Sequence, residues 1–252
     1  MFESEEESRQ KVFMYNPISL LYLIFLGFLT LFILPFLIFA GALVGRALSL
    51  PSYLVFVIFL LSLFGSQVNI KLKETECLQP TLTYKTVDFF GIQWRLPQVG
   101  YGNKKMVIAI NLGGAVIPLL MSLFILFYSV PALEQNLTLA YLKILVAFIV
   151  VTFVVHRFAK PIRGLGIAIP SFIPPLTAAL TSAALFSLGA ETNPFLIAYV
   201  AGTLGTLVGA DLLNLNKIPK LGAPMVSIGG AGVFDGVYMT GVMAILLLWL
   251  IV

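Results

Sequence analysis

Charged residues are scarce in this sequence, and their scarcity excludes most soluble folds. Only 10% of the 252 residues are charged, whereas 60% are hydrophobic, and a soluble domain carries about 25% charged residues. Such a chain has too little polar surface to cover a globule in water. The mean hydropathy of +1.03 therefore predicts an integral protein of the cell membrane that is surrounded by the lipid bilayer.

Cysteine and histidine are almost absent. The single cysteine, Cys77, excludes an intrachain disulfide and a cysteine-based metal cluster. The single histidine, His156, has no metal-ligand spacing around it, so neither a metal nor a cofactor is predicted. The net charge of +4 comes from basic residues dispersed among short loops. This distribution argues against a nucleic-acid partner, which would require a basic patch.

Seven apolar runs are long enough to cross a bilayer, for which a helix needs about 20 residues. They are residues 17–45, 50–67, 107–130, 138–155, 165–189, 194–215 and 229–252. We therefore predict an all-α polytopic membrane protein with seven transmembrane helices. An acidic N-terminal tail, 1–16, precedes a single membrane domain, 17–252. Residues 68–106 contain extended-looking runs broken by prolines, which predicts a small strand-containing insertion between the second and third helices.

Basic residues predict the orientation of these spans. With seven crossings, all fifteen lysines and arginines except Arg46 and Lys143 fall on the side of the N-terminus. Cytoplasmic loops carry the excess of basic residues in membrane proteins. The N-terminus and the insertion 68–106 are therefore predicted to lie inside, and the C-terminus outside.

Two aspartates, Asp211 and Asp235, fall within the predicted sixth and seventh spans. An ionisable residue at membrane depth is by default a functional hypothesis. Asp211 precedes Lys217 by six residues, which places it ~9 Å from the inner edge. If the seventh helix begins at Ala231 after an extended segment, Asp235 lies ~6 Å deep. Because these helices are sequential and antiparallel, the two carboxyls are predicted to face one another.

Two carboxyls in a medium of low dielectric constant share a proton and can activate water. This predicts an intramembrane aspartyl-protease-like hydrolase in which Asp211 and Asp235 are catalytic and transmembrane helical peptides are the substrates. Glycines leave room for a peptide backbone, and the extended segment before them offers a strand with which a substrate can pair. The predicted substrate-binding residues are Gly229, Gly230, Gly232, Gly236, Asn111, Asn214 and Pro175.

Two resemblances support the choice of this region. Residues 202–241 resemble a family of archaeal and bacterial membrane proteins known as a domain of unknown function, which implies no established activity. More distantly, the layout is similar to the presenilin and signal peptide peptidase class of intramembrane aspartyl proteases. That resemblance implies that Asp211 ends an inward-running helix and that Asp235 follows a glycine turn at the start of the next. The Gly-x-Gly-Asp motif of that class is here Gly232-Val233-Phe234-Asp235.

A short sequence pattern that occurs twice in the chain supports a different class of function. Residues 111–115 open the third span with an Asn-Leu-Gly-Gly-Ala sequence, much as Ser-Ile-Gly-Gly-Ala at 227–231 opens the seventh. Interrupted helices at corresponding positions point to the binding site of a transporter. The alternative hypothesis is a proton- or cation-coupled transporter that uses Asp211 and Asp235, with Asn111 as an oxygen ligand. A non-catalytic scaffold is a third possibility.

Overall fold

The computed structural model describes residues 13–15, 24, 28, 31, 38–89, 92–162, 166–189, 192–230 and 236–252. Its helices are α1 (Ile38–Leu48), α2 (Ser52–Gly65), α3 (Leu112–Leu133), α4 (Leu137–Phe158), α5 (Ile173–Ser187), α6 (Pro194–Ile218) and α7 (Gly236–Ile251). Its strands are β1 (Phe13–Tyr15), β2 (Val68–Phe89), β3 (Ile92–Asn111), β4 (Lys160–Ile162), β5 (Gly166–Ala168) and β6 (Met225–Ile228).

The predicted all-α protein with seven spans is wrong. Among the described residues, only the helices α3, α4 and α6 are long and apolar enough to cross a membrane, and the bent pair α1–α2 adds at most a fourth. Helices α5 and α7 are apolar but have only 15 and 16 residues. Hydropathy counts apolar residues without detecting where a helix stops, which is why it gave seven spans. The predicted orientation depended on seven crossings, so it is no longer supported.

The break between α1 and α2 illustrates the error. The chain turns by 117° there, at Ser49, which has a φ of +54°, and at Pro51, which precedes the first residue of α2. A left-handed residue and a proline both end a helix. Two apolar runs with no intervening polar loop can therefore be two short arms of one bent unit. Most of the predicted first span, 17–45, lies outside the described residues.

A four-stranded sheet in the order β1-β2-β3-β6 stands where only a small insertion was predicted. Strands do form within 68–106, but β2 and β3 make a long antiparallel hairpin, paired from Asn69 with Asn111 to Phe89 with Ile92. The hairpin therefore extends into the predicted third helix. Strand β6 pairs with the end of β3 in parallel, with Ile110 opposite Ile228. Because the two strands are parallel, the chain leaves both of them at the same edge of the sheet.

Helix α6 is the central helix of the bundle. In the most apolar 18-residue stretch of α6, 72% of the residues are buried, compared with 33% in the corresponding stretches of α3 and of α4. It packs against α4, α5 and α7. Gly209 shows how closely, because a Cβ atom there would lie 2.6 Å from the carbonyl oxygen of Thr152 on α4. Such close backbone approach through small residues is how helices associate inside membranes.

Candidate active site

The site is organised by a π-helical turn in the second half of α6. Residues Pro194–Thr206 are α-helical, Leu207–Asp211 form a π turn, and a 3-10 helix, Leu212–Leu221, follows. In an α-helix of 3.6 residues per turn, residue i+5 lies ~140° around the axis from residue i. A π turn bonds residue i to i+5 and is wider, so it brings Asp211 closer to the face that carries Thr206. Both residues line one cavity.

A backbone hydrogen bond anchors the carboxyl group of Asp211. The N–H of Gly229 donates to Asp211 Oδ2 at 2.9 Å, across 18 residues of sequence. Gly229 directly follows β6, which the pairing with β3 holds in place. The hydrogen bond therefore joins the π turn of α6 to the point where the chain leaves the sheet.

Gly229 occupies a position that admits no side chain. Its φ is +79° and that of Gly230 is +85°, a left-handed region that L-residues with a Cβ avoid. A Cβ atom on Gly229 would lie 2.5 Å from the Cβ of Ala115 and 2.7 Å from its backbone nitrogen. Glycine at this position lets the chain turn against α3 while its N–H reaches Asp211. Ala115 and Gly229 belong to the two segments of similar sequence, which therefore contact each other.

A cavity of about 450 Å³ lies beside Asp211. Its walls come from β5 and the segment that follows it, the start of α5, the part of α6 around the π turn and the start of α7. The lining residues are Ile167, Ala168, Ile169, Pro170, Ser171, Phe172, Pro174, Pro175, Thr206, Ala210, Asp211, Gly236, Val237, Met239, Thr240 and Met243. Three of the predicted site residues, Asp211, Pro175 and Gly236, therefore meet at one cavity, and Gly229 contacts one of them.

Asp235 and Gly232 lie outside the described residues. Gly236 comes directly after Asp235 in the sequence and is part of the cavity wall. The separation of the two carboxyl groups therefore stays a prediction.

Asn111 serves as a structural hub away from the cavity. It is fully buried, and its Oδ1 accepts a hydrogen bond from the N–H of Gly114 at 2.7 Å, which caps α3. Its Nδ2 donates to the carbonyl of Ser66 and to Oδ1 of Asn69. These contacts tie the hairpin to α3. The side chain does not line the cavity of Asp211, and its predicted substrate contact stays a prediction.

Asn214 closes the far end of the π turn. Its Nδ2 donates to the carbonyls of Ala210 and Gly209, and its Oδ1 accepts from Lys217 Nζ at 2.7 Å. The ring nitrogen Nδ1 of His156 lies 3.3 Å from the same amide nitrogen and 3.3 Å from the Gly209 oxygen. A π turn leaves carbonyls that α-helical bonding would otherwise occupy. The side chain of Asn214 satisfies two of these carbonyls, so it stabilises the π turn that ends at Asp211.

No metal centre is formed by the described part of the chain. Within it, no three histidine, cysteine, aspartate or glutamate side chains lie close enough together to hold an ion. The side chain of His156 is directed to the π-turn carbonyl of Gly209.

Thr206 was not among the predicted site residues, although it lines the cavity. It is only 2% exposed. The signal for it was present, since Thr206 is a polar residue at membrane depth five positions before Asp211. An α-helical projection hides the relation because it places these residues on different faces.

A comparison with protein families places this region in a known group. A family model described as "Protein of unknown function (DUF1614)" matches residues 63–247. The chain belongs to this family. The matched region includes the hairpin, the Asp211–Gly229 contact and every residue of the cavity wall. The predicted resemblance to an uncharacterised family is therefore confirmed, and the family description assigns no activity. No curated protein and no solved structure matches the chain.

The comparisons give no relationship to the presenilin and signal peptide peptidase class. The similarity to that class therefore rests on the layout of Asp211 and Asp235 in the sequence alone. Membership of the family adds no support for a protease or for a hydrolase of any kind.

Proposed function

We propose that this chain is a multi-pass protein of the cell membrane that hydrolyses membrane-embedded peptides with Asp211 and Asp235. The observation that supports this most is that Asp211 lines a cavity of about 450 Å³ together with Gly236. Because Gly236 is bonded to Asp235 in the chain, we expect the second carboxyl at the same cavity. Cavities of ~300–1,000 Å³ are typical of ligand sites.

The proposed chemistry divides the work between the two acids. A backbone N–H donor stabilises a carboxylate in its ionised form, so Asp211 takes a proton from the attacking water. As the water oxygen bonds to the carbonyl carbon, protonated Asp235 donates its proton to the carbonyl oxygen. The resulting diol returns a proton to Asp235 as the C–N bond breaks. The proton held by Asp211 passes to the departing amine.

The surroundings of Asp211 suit a peptide substrate from the bilayer. Most of the cavity wall is apolar, including Phe172, Pro175, Val237 and Met243. Among the described strands, β6 lies at the edge of its sheet, and it ends immediately before Gly229, the residue that is hydrogen-bonded to Asp211. An extended peptide can add to a sheet edge through backbone hydrogen bonds. A substrate paired with β6 would therefore be guided to the carboxyl group.

The helices support the proposed placement in the membrane. Three of them have the length and composition for a crossing, and Phe127, Phe153 and Leu142 are among their large apolar side chains that face outward. Such surfaces are stable in lipid and unfavourable in water. We therefore propose that the lipid bilayer is the partner of these faces.

The test is cleavage of a synthetic transmembrane peptide by the purified protein in liposomes, followed by mass spectrometry. Asp211→Asn and Asp235→Asn should each reduce the rate by at least ~100-fold, since each removes one of the acid–base groups. Asp88→Asn is the matched control, because Asp88 lies in the exposed hairpin, and it should keep full activity. Cleavage that persists in either site variant would contradict the proposal.

A proton- or cation-coupled transporter is the second candidate. It is favoured by the contact between the two segments of similar sequence, in which Gly229 packs against Ala115 beside the parallel strands β3 and β6. In transporters, irregular backbone at corresponding positions of two repeats surrounds the binding site, and here the two similar segments follow parallel strands. Proton- or sodium-dependent uptake into liposomes that is lost in Asp211→Asn, with no peptide cleavage by the unmodified protein, would favour this candidate over the hydrolase.

A further inference from the structure

Thr206 carries a buried hydroxyl group that the proposed hydrolysis does not use. The residue is 2% exposed, and within the described part of the chain its Oγ1 has no hydrogen-bond partner. A threonine in a helix commonly donates to the carbonyl four residues before it, and this one does not. A buried polar atom without a partner is unfavourable. Because Thr206 lines the cavity, a bound ligand can supply the missing partner.

The neighbouring group defines what that ligand must offer. Thr206 presents a hydroxyl donor, and Asp211 presents a carboxylate acceptor one turn further along the same wall. A carboxylate offers about four acceptor positions, enough for Gly229, for water and for a ligand N–H. The carbonyl and the N–H of a trans amide point in opposite directions. A secondary amide can therefore bridge a donor and an acceptor separated by one helical turn.

The remaining wall specifies the neighbour of that amide. Phe172, Pro174, Met239 and Met243 contribute apolar surface to the cavity, which suits a bulky apolar side chain. We infer that Thr206 donates a hydrogen bond to the carbonyl oxygen of a ligand amide whose N–H donates to Asp211, so that the site selects secondary amides beside large apolar side chains. This deepens the proposed function, on which it rests only for the identity of the amide as part of a peptide.

The inference is tested by a binding measurement that does not require hydrolysis. In a Cys77→Ala background, Ser171→Cys places one reactive cysteine on the exposed rim of the cavity. Protection of this thiol from N-ethylmaleimide reports occupancy by N-methyl-3-phenylpropanamide, which carries one secondary amide and a phenyl group. The corresponding ester, methyl 3-phenylpropanoate, has a similar shape and keeps the carbonyl but has no N–H.

The expected results follow from the two hydrogen bonds. The amide should protect at lower concentration than the ester, and Thr206→Val should weaken protection by the amide about tenfold, the worth of roughly one hydrogen bond. Thr206→Ser keeps the hydroxyl and should bind as the unmodified residue does. Thr203→Val is the matched control, one turn away on α6 and outside the cavity wall. Because valine has the shape of threonine, both valine variants should fold.

Three results would overturn the inference: no protection by the amide, equal protection by amide and ester, or unchanged protection in Thr206→Val. Each is distinct from failure of the proposed function. If protection behaves as expected but no peptide is cleaved, the amide site stands and the hydrolase proposal fails. If peptides are cleaved but the amide protects the thiol of the Thr206→Val variant normally, the hydrolase proposal stands and the proposed role of Thr206 is wrong.

Discussion

Substitution of Gly229 by alanine perturbs the contact on which the geometry of the site depends. At a φ of +79°, a residue with a Cβ loses about 1–2 kcal/mol relative to glycine. The new Cβ would also lie 2.5 Å from that of Ala115, and overpacking of this kind costs roughly 1–3 kcal/mol. Together these effects should destabilise the protein by about 2–5 kcal/mol. For a chain of this length, that corresponds to a fall in Tm of roughly 4–20 °C.

The assay is thermal unfolding of the purified protein in detergent, with peptide cleavage measured below the transition. Gly229→Ala should also lower cleavage, because relief of the overlap moves the N–H away from Asp211. Gly41→Ala is the control, since a Cβ there meets no atom within 4 Å, and alanine in a helix is expected to be neutral or stabilising by up to about 1 kcal/mol. An unchanged Tm and unchanged cleavage in Gly229→Ala would refute the described packing of Gly229 on α3.

Two further substitutions test parts of the fold that support the site. Asn111→Ala removes the cap of α3 and two donated hydrogen bonds, so the free energy of unfolding in denaturant titrations should fall by about 2–4 kcal/mol; a normal titration would show that the hub is dispensable. Lys143→Met removes a buried ammonium group that donates to Gly189 and Thr192, and the Tm should fall by several degrees, a loss of about 1–3 kcal/mol. Lys105→Met, whose side chain is 83% exposed, should unfold as the unmodified protein does, and equal Tm values for both variants would contradict the buried contacts of Lys143.

The sequence pattern singled out Asp211 and Gly229, which lie together in the structure, whereas the fold it predicted is wrong. Asp211 stands out because a carboxyl in an apolar run is costly unless it is used, and the glycines around it in the sequence were predicted because they leave room for a peptide backbone. Those signals are local, and Asp211 and Gly229 do meet. The extended segment before Gly229 was also predicted, and β6 occupies part of it.

The errors came from features that depend on non-local geometry. Hydropathy does not distinguish a straight helix of 20 residues from two arms that meet at Ser49 and Pro51, so it gave too many spans. Strand pairing between β2 and β3 overrides the apolar run at 107–111, because a partner strand satisfies its backbone groups. The π turn is equally hidden, since the spacing of Thr206 and Asp211 indicates different faces on an α-helix. Only the shape of the turn places them together.

The central claim is that Asp211 and Asp235 converge at one cavity, and cysteine cross-linking measures this most directly. In the Cys77→Ala background, the pair Asp211→Cys and Asp235→Cys should form an intrachain bond under mild oxidation or with a bifunctional reagent of ~8 Å, since a disulfide requires Cα atoms within about 7 Å. The pair Ala109→Cys and Ser227→Cys, which are strand partners, provides the positive control. If the control pair cross-links while the two site cysteines react with N-ethylmaleimide but never with each other, the carboxyl groups do not converge and the proposed chemistry is wrong.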